Sequence, residues 1–373
     1  MRVSRLWLSD FRSYEHVEVE LPPGLCVVTG PNGVGKTNLL ESIGYLARLS
    51  SFRSAPTDAL VRTGADTAVI RAEVDQDGRT QLIEVEINRS RPRRVLVNRQ
   101  RLRRSSDLAG IIRVSVFAPD DLELVKGSPG MRRDFLDELV VSLHPRNDAV
   151  RSDWEKSLRQ RNALLKQVGG RLDDSAAATL EVWDTKAAAA GTELVRLRTD
   201  ALQRLTPMVG DAYEDIAGRG EPIGLRYARG WGDDLAAAFV SARGDDLRRG
   251  LSTVGPHRDE VLIDIAGRPS RTHCSQGEQR CLALALRLGA HRLVTAEYDQ
   301  PPVLLLDDVF SELDDDRARA LMAALPKGQA FLSTAGSLPD GLGGAGTIEV
   351  SPGRLTASHG GGRSGGAAEP GDT

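Results

Sequence analysis

Eight consecutive residues carry the clearest chemical signal in this chain. Gly30, Gly35, Lys36 and Thr37 stand at the spacing G-x-x-x-x-G-K-T. Glycines let neighbouring main-chain N–H groups converge on phosphate oxygens, and a following helix adds its positive dipole end. Lys36 would reach the β- and γ-phosphates, and Thr37 would offer its hydroxyl to Mg²⁺. The segment predicts a nucleotide site formed by Gly30, Pro31, Asn32, Gly33, Val34, Gly35, Lys36 and Thr37.

The flanks of this loop provide the context that the motif needs. Leu25–Thr29 is a short apolar run that predicts a buried strand, and apolar residues recur at helical spacing from Leu39 to Leu46. Strand, glycine-rich turn and helix follow one another in the required order. The alternative is a glycine-rich surface turn followed by a lysine, which these flanks disfavour.

A second stretch supplies two carboxylates. Val303–Leu306 is a continuous apolar run, typical of a strand buried on both faces, and Asp307 and Asp308 follow it directly. Open α/β sheets bind ligands at the carboxyl ends of their strands. Asp307 is predicted to coordinate Mg²⁺ together with Thr37, and Asp308 to polarise the attacking water. The alternative is a core strand that happens to end in acidic residues.

A third stretch predicts another anion site. Ser275-Gln276-Gly277-Glu278-Gln279 opens a strongly apolar helix, and N–H groups at a helix start attract anions. One chain has one γ-phosphate to hold, and the loop at Gly30 already holds it. Ser275 and Gly277 are therefore expected to serve a nucleotide bound to another copy, which predicts a two-fold, head-to-tail pair closed by nucleotide.

A basic segment predicts a polyanion contact. Arg89–Arg104 contains eight arginines around one short apolar strand, with no acidic residue among them. Clustered arginines are the expected footprint of phosphate binding, so DNA is the preferred partner. The alternative is a solvated hairpin rim. The DNA-binding candidates are Arg91, Arg93, Arg94, Arg99, Arg101, Arg103 and Arg104.

Two further groups leave their roles open. Arg132 and Arg133 begin a predicted helix, where the dipole disfavours cations. They either hold a phosphate or answer Asp134 and Asp137 as surface arginines. His257 lies on a predicted turn and is more readily a hydrogen-bonding group than a catalyst.

Composition sets the frame for these sites. The chain has 373 residues, 40% hydrophobic, with a net charge of −3, so any DNA contact must be a local patch. No apolar run reaches the 18 residues of a membrane span, and the N-terminus lacks the apolar region of a signal peptide, which predicts a cytoplasmic protein without membrane partner. Three cysteines form no paired framework.

The predicted organisation is an N-terminal ATPase part with the basic hairpin (1–144), an inserted helical lobe (145–250), a C-terminal ATPase part (251–357) and a disordered tail (358–373).

Taken together, these motifs resemble those of the ABC-type ATPases and, more narrowly, the RecF family, a bacterial relative of SMC-type heads. The resemblance runs from Phe11 to Leu355 and includes Ser311-Glu312-Leu313-Asp314 after the Asp307 strand. It implies an α/β fold: an ABC-type P-loop ATPase head, with a mixed sheet, helices and a β-rich subdomain, plus the inserted helical lobe. It also implies slow ATP hydrolysis, ATP-dependent dimerisation on DNA, and service in recombinational repair, RecA loading and SOS induction with RecR as partner. By the same resemblance, Ser275 and Gly277 reach the partner's ATP, Asp314 is the D-loop carboxylate, and Arg12 lies near the nucleotide.

The chain departs from the ABC pattern at several positions. Asp308 stands where most ABC ATPases have glutamate, and its shorter side chain suits slow turnover. Cys274 replaces the usual leucine of the signature. The strand Ala330–Thr334 lacks the switch histidine, with Thr334 near that place, and no convincing Q-loop glutamine is found.

Two other functions would use part of this motif set. A transporter's soluble ATPase subunit shares the motifs, but it should carry a switch histidine and has no use for the arginine segment. A small-molecule kinase would explain the phosphate loop but would leave the signature at Ser275 without a role.

Overall fold

The strands account for most of the two ends of the chain. The structure is a computed structural model that describes residues 1–102, 104–334 and 345–358. Its strands in chain order are β1 (Arg2–Phe11), β2 (Tyr14–Glu20), β3 (Leu25–Thr29), β4 (Thr67–Gln76), β5 (Arg79–Asn88), β6 (Arg94–Val97), β7 (Gln100–Arg101), β8 (Val114–Phe117), β9 (Ile223–Ala228), β10 (Glu260–Ile265), β11 (Arg268–Pro269), β12 (Val303–Asp307), β13 (Ala330–Thr334), β14 (Gly346–Ser351) and β15 (Arg354–Ser358).

The helices dominate the middle of the chain. In order they are α1 (Lys36–Arg48), α2 (Thr57–Leu60), α3 (Glu123–Lys126), α4 (Pro129–Leu143), α5 (Asp148–Val168), α6 (Asp174–Ala217), α7 (Leu235–Arg249), α8 (Ser270–His273), α9 (Gln276–Tyr298) and α10 (Asp315–Ala324). The helix predicted directly after the phosphate loop is confirmed as α1, which begins at Lys36. None of the helices in these described ranges is both long enough and apolar enough to cross a bilayer.

The central sheet positions the predicted site. Its strand order is β15-β14-β3-β13-β12-β8, and all neighbours are parallel except the β14–β15 pair. The loop after β3 and the carboxylates after β12 therefore leave the same edge of the sheet, separated only by β13. Neighbouring strands lie about 4.8 Å apart, so these two loops start roughly 10 Å from each other.

Side chains alternate across this sheet and bury both of its faces. In β12, Leu304 and Leu306 pack into a core shared with α4, α6 and α9. Val303 and Leu305 point the other way, into a core shared with α1 and the β1–β5 strands. All five residues of β12 are buried, as predicted for a strand covered on both sides.

A second sheet covers the α1 side. It is antiparallel, in the order β2-β1-β4-β5-β6-β7, and includes the predicted β4–β5 hairpin. Asp77 and Gly78 form its turn, with φ values of 51° and 73° that such a tight connection requires. The basic segment supplies β6 and β7 at the outer edge of this sheet.

The helical insertion is joined to the ATPase core more closely than its sequence boundaries suggest. The second half of α6 contributes Leu202, Leu205 and Val209 to the core beneath the central sheet. β9, which precedes the predicted boundary at 250, pairs along its full length with β10, which follows it. The division into lobes remains a prediction. Of the predicted tail, Ser358 ends β15, and 359–373 lie outside the described residues.

Candidate nucleotide site

The glycines of the phosphate loop are required by close contacts and by the backbone. Gly30 has φ of 145°, and a Cβ there would lie 2.4 Å from the carbonyl oxygen of Val350. Gly35 has φ of 121°, and a Cβ there would lie 2.9 Å from Oγ of Ser13. Both dihedral angles disfavour any residue with a side chain. The loop therefore has no side chain at either position, and its main chain packs closely against Val350 and Ser13 there.

The start of α1 is open to an anion. Gly35 is the N-cap residue and provides no side-chain cap, and the first turn holds no acidic residue. The first N–H groups of a helix have no intrahelical acceptor, and together with the dipole they favour a bound anion. Nζ of Lys36 donates to the carbonyl oxygens of Gly30 and Pro31, at 2.7 Å and 2.9 Å, which places its charge beside the loop.

The two halves of the predicted site meet at a hydroxyl and a carboxylate. Oγ1 of Thr37 donates to Oδ1 of Asp307 at 2.8 Å, although the residues are 270 positions apart. Oγ of Ser333 donates to the same oxygen at 2.8 Å. Burial raises the pKa of Asp307, while the bonds from Ser333 and Thr37 and the charge of Arg53 act in the opposite direction.

These donors fit Mg²⁺. The Thr37 hydroxyl and the Asp307 carboxylate are hard oxygen ligands, and Mg²⁺ is commonly held by one or two such protein groups together with water and substrate phosphates. Across the described ranges, no cluster of three or more His, Cys, Asp or Glu side chains could form an all-protein cage. The site therefore suits a cation that arrives with a nucleotide.

Asp308 adopts an unusual backbone conformation beside this pair. Its φ of 49° places it in the left-handed region, which is uncommon for a residue other than glycine. Its N–H donates to Oγ of Ser333 at 3.0 Å, and its carbonyl oxygen accepts from Oγ of Ser311. Asp308 is half-buried at the mouth of the site, as a group that acts on water requires.

The predicted signature forms the start of α9, but three of its five N–H groups are already used, those of Ser275, Glu278 and Gln279. Ser275 is the N-cap: its hydroxyl accepts from the N–H of Glu278, whose carboxylate accepts in return from the N–H of Ser275 at 2.7 Å. This is a capping box. The N–H of Ser275 is therefore not available to an anion. The N–H groups of Gln276 and Gly277 remain, without a partner within the described part of the chain.

Asp314, the predicted D-loop carboxylate, lies next to the predicted signature. Asp314 is the N-cap of α10. Its carboxylate accepts one hydrogen bond from the main-chain N–H of Arg317, at 2.9 Å, and another from the Arg317 guanidinium, at 3.0 Å. The same guanidinium approaches Gly277, where a Cβ would lie 3.0 Å from both terminal nitrogens. The absence of a side chain at Gly277 thus lets α10 pack against the start of α9.

Comparisons with known proteins agree with this geometry. The family model described as RecF/RecN/SMC N terminal domain matches residues 2–332. A DNA replication and repair protein RecF from Streptomyces avermitilis is 46% identical over 351 residues, covering 90% of this chain and 93% of that protein. The chain belongs to the RecF family. A second relative of the same name, from Nocardioides sp., is 42% identical and covers 92% of this chain and 97% of its own length.

Solved structures confirm the predicted fold class. The recombination mediator protein RecF bound to ATP, described as part of the RecFOR pathway, is 27% identical with a TM-score of 0.88, covering 95% of this chain and 97% of its own. An Smc head bound to a ScpA domain is 15% identical with a TM-score of 0.58, over 96% and 98% of the two chains, and shares the fold. The chain is thus an α/β ATPase head of the RecF and SMC type. The names of the relatives favour DNA repair over the transporter alternative.

Arg12, which the family resemblance places near the nucleotide, has its charge paired with an acidic residue of α1. Its guanidinium binds the buried carboxylate of Glu41 through two hydrogen bonds of 2.7 Å and 2.8 Å, and donates to the carbonyl oxygen of Ala59. Because Glu41 lies on α1, this fork fixes the β1–β2 turn over the first turns of that helix. The predicted nearness to nucleotide remains untested.

The basic segment forms the edge hairpin β6–β7, and its arginines differ in their surroundings. Arg94 lies opposite Glu86 of β5 in the strand register, although the two side chains form no ion pair. Arg93 donates to the carbonyl oxygen of Leu49 at 2.8 Å. Six candidates are exposed and have no ion pair within the described ranges: Arg91, Arg93, Arg94, Arg99, Arg101 and Arg104. Arg103 lies outside the described residues.

The hydrogen-bond partners of Arg132 and Arg133 indicate their roles. Arg132 is buried and binds Glu260 through two hydrogen bonds, at 2.9 Å and 3.0 Å, and Arg133 donates to the carbonyl oxygen of Asp259. Neither guanidinium pairs with Asp134 or Asp137 in these bonds, so both earlier alternatives give way to a role in fixing α4 against β10.

His257 has a structural environment. Its Nε2 lies 3.1 Å from the carbonyl oxygen of Ser252, and its ring contacts Trp154, with 5.8 Å between ring centroids. Burial lowers its pKa to about 4, so the imidazole is neutral near pH 7. It belongs to the packing of the helical insertion rather than to the nucleotide site.

Sequence reasoning missed three residues at the site. Ser333 bonds both acidic residues, Glu41 anchors Arg12, and Arg53 lies close enough to Asp307 to lower its pKa. Only Ser333 left a signal in the sequence, since it interrupts the apolar pattern at the end of a buried strand. The partners of Glu41 and Arg53 depend on tertiary contacts.

Proposed function

We propose that this protein is an ATP-dependent DNA-binding switch of recombinational repair and replication. The bond between Thr37 and Asp307 carries the proposal, because it assembles a phosphate loop and a metal-binding carboxylate into one site. The relatives named DNA replication and repair protein RecF supply the biological setting. The resemblance further suggests a cytoplasmic protein that works with RecR in RecA loading and SOS induction.

The activity that we propose is slow, DNA-dependent ATP hydrolysis. The loop and Lys36 bind the triphosphate, and Thr37 and Asp307 would hold Mg²⁺, which neutralises the phosphate oxygens when bound. Asp308 accepts a hydrogen bond from water, which attacks the γ-phosphorus. An O–P bond forms, the P–O bond to ADP breaks, and phosphate leaves. The short side chain of Asp308 reaches less far than glutamate, which suits a slow switch.

Dimerisation completes the site. The start of α9 retains two free N–H groups, at Gln276 and Gly277, and we propose that they cap the ATP of a second copy. A ligand that binds only the closed pair shifts the monomer–dimer equilibrium by its differential affinity. ATP would therefore close the dimer on DNA, and hydrolysis would release it.

Light scattering after gel filtration tests this proposal. Wild type is compared in ATP and in ADP, with and without duplex DNA. The mass of the protein component is expected to double in ATP, whether or not DNA is present. Ser275→Arg should stay monomeric while it still binds ATP. Thr272→Arg, an equally exposed change just before the signature, is the matched control and should dimerise. A wild-type protein that remains monomeric in ATP plus DNA contradicts the switch.

A further inference from the structure

Ser333 occupies a central position in the sheet and is fully buried. Its strand, β13, lies between the strand that precedes the phosphate loop and the strand that ends in Asp307. In the register, Ser333 pairs with Val28 on one side and with Asp307 on the other. Ser333 therefore lies in the row of the sheet from which both the phosphate loop and the Asp307 segment leave.

The Ser333 hydroxyl is the donor in one hydrogen bond and the acceptor in another. Oγ of Ser333 donates to Oδ1 of Asp307 at 2.8 Å and accepts from the N–H of Asp308 at 3.0 Å. A serine hydroxyl has a single proton and two lone pairs, so this pattern commits its proton to the carboxylate. Ser333 thus ties the side chain of one acidic residue to the main chain of the next.

This tie matters because Asp308 is held in a left-handed conformation, with φ of 49°. Such a conformation is unfavourable for a residue with a side chain and persists only when its surroundings fix it. The hydrogen bond to Ser333 is one of those restraints. Thr37 binds the same Oδ1 of Asp307, so the rotation of that carboxylate is limited from two sides.

Ser42 shows that burial alone does not produce this arrangement. It is also fully buried, on α1, and its hydroxyl donates to the carbonyl oxygen of Leu39 at 2.7 Å, within its own helix. A buried serine can therefore be satisfied locally. Ser333 instead uses its hydroxyl on the two acidic residues of a neighbouring strand.

We propose that Ser333 is a positioning residue that holds Asp307 and Asp308 in the geometry needed for metal-dependent ATP hydrolysis. The inference rests on the proposed ATPase function. Ser333 acts through the two acidic residues and has no direct role in nucleotide binding. Its loss should therefore affect steps that need these carboxylates and leave the phosphate loop intact.

The test compares wild type with Ser333→Ala, Ser333→Thr and the matched control Ser42→Ala. For each we would measure kcat and KM for ATP hydrolysis, thermal unfolding, and the affinity for a fluorescent ATP analogue in Mg²⁺ and in EDTA. Partners that orient metal ligands typically contribute about 10- to 100-fold to affinity or activity. We expect Ser333→Ala to lower kcat by about that factor. Because slow chemistry makes KM approach the dissociation constant, KM for ATP in Mg²⁺ should rise about 10-fold.

The affinity measurements separate this role from a structural one. Ser333→Ala should weaken analogue binding in Mg²⁺ about 10-fold and leave binding in EDTA unchanged. Ser333→Thr, which keeps the hydroxyl, should recover most of kcat, and Ser42→Ala should match wild type in both assays. Equal kcat for Ser333→Ala and Ser42→Ala, or equal loss of affinity in Mg²⁺ and EDTA, would overturn the proposal. A wild type that hydrolyses no ATP would refute the ATPase function, whereas the Mg²⁺-dependent affinity would still decide the role of Ser333.

Discussion

Arg93 donates a hydrogen bond of 2.8 Å to the main-chain carbonyl of Leu49, the residue that ends α1. The contact joins the basic hairpin to the helix that begins at the phosphate loop. It also distinguishes Arg93 from the other arginines of the segment, because its guanidinium is already bonded to a main-chain carbonyl of the protein. The arginines of this segment therefore have different predicted effects on DNA binding.

Replacing Arg91, Arg99 and Arg101 together by alanine should weaken DNA binding and leave ATP binding intact. These side chains are exposed and unpaired within the described ranges, so each is available to a phosphate. Loss of each phosphate contact lowers the slope of log affinity against log salt by about 0.9 for duplex DNA. Fluorescence anisotropy over a salt series measures this slope.

Arg94→Ala is the comparison on the same hairpin: Arg94 is exposed as well, but Glu86 lies opposite it across the strands. Because the nearby carboxylate lowers its attraction for a phosphate, the single change should alter the slope less than Arg91→Ala, Arg99→Ala or Arg101→Ala. A triple variant with an unchanged slope would show that DNA binds elsewhere, and a parallel loss of ATP affinity would indicate misfolding.

Thr37→Val should remove metal-dependent ATP binding while it preserves the shape of the side chain. The hydroxyl bonds Asp307 at 2.8 Å and would be a ligand of Mg²⁺. We expect at least about a 10-fold loss of ATP affinity in Mg²⁺ and no loss in EDTA, measured by calorimetry. Thr199→Val, whose hydroxyl bonds only Val195 in its own helix, should behave as wild type. Equal affinities of the two variants in Mg²⁺ would place the metal site elsewhere.

Arg161→Met should destabilise the helical insertion strongly. Arg161 is fully buried and bonds Asp184 and Asp246 at 2.6 Å and 2.7 Å. Asp184 keeps its pair with Arg243, so removal of Arg161 leaves the buried carboxylate of Asp246 without a cation among the described residues. Breaking a buried ion pair in this way costs about 3–5 kcal/mol. Urea unfolding, followed by tryptophan fluorescence, measures the change.

Arg196→Met is the control, since Arg196 forms exposed pairs on the same insertion and should cost less than about 1 kcal/mol. If 145–250 is a separate lobe, Arg161→Met will unfold it at low urea while ATP affinity persists. Simultaneous loss of both signals would mean that the insertion and the ATPase core unfold as one unit.

His291→Leu should reduce the acid sensitivity of the fold. His291 is buried on α9, neither ring nitrogen has a hydrogen-bond partner among the described residues, and burial lowers its pKa to about 4. The unfolded chain takes up a proton near pH 6.5, so the stability contributed by the neutral ring is lost as pH falls from 6.5 towards 4.

For this histidine alone the loss between pH 7.5 and pH 5 amounts to about 2 kcal/mol. Urea unfolding at the two pH values should show that His291→Leu loses less stability than wild type by this amount. His16→Leu, at an exposed position, should keep the wild-type pH dependence. Identical pH dependence in both variants would contradict the prediction.

The sequence by itself determined the phosphate loop, the strand that ends in Asp307 and the start of α9. These features are local: glycine spacing, an unbroken apolar run and a helix-capping pattern each express a short-range physical requirement. The central sheet was predictable for the same reason, since strands buried on both faces need helices or sheets on either side.

Only the tertiary structure decided which polar groups meet. Asp307 and Ser333 lie at the ends of two neighbouring strands and Thr37 lies in the first turn of α1, and no short-range pattern encodes the bonds among them. The positive charge of the arginine segment could be recognised from the sequence, but the carbonyl of Leu49 that binds Arg93 lies 44 positions away. Hydrogen bonds act over about 3 Å, so the partner of a polar side chain is fixed by the packing of elements rather than by its neighbours in sequence.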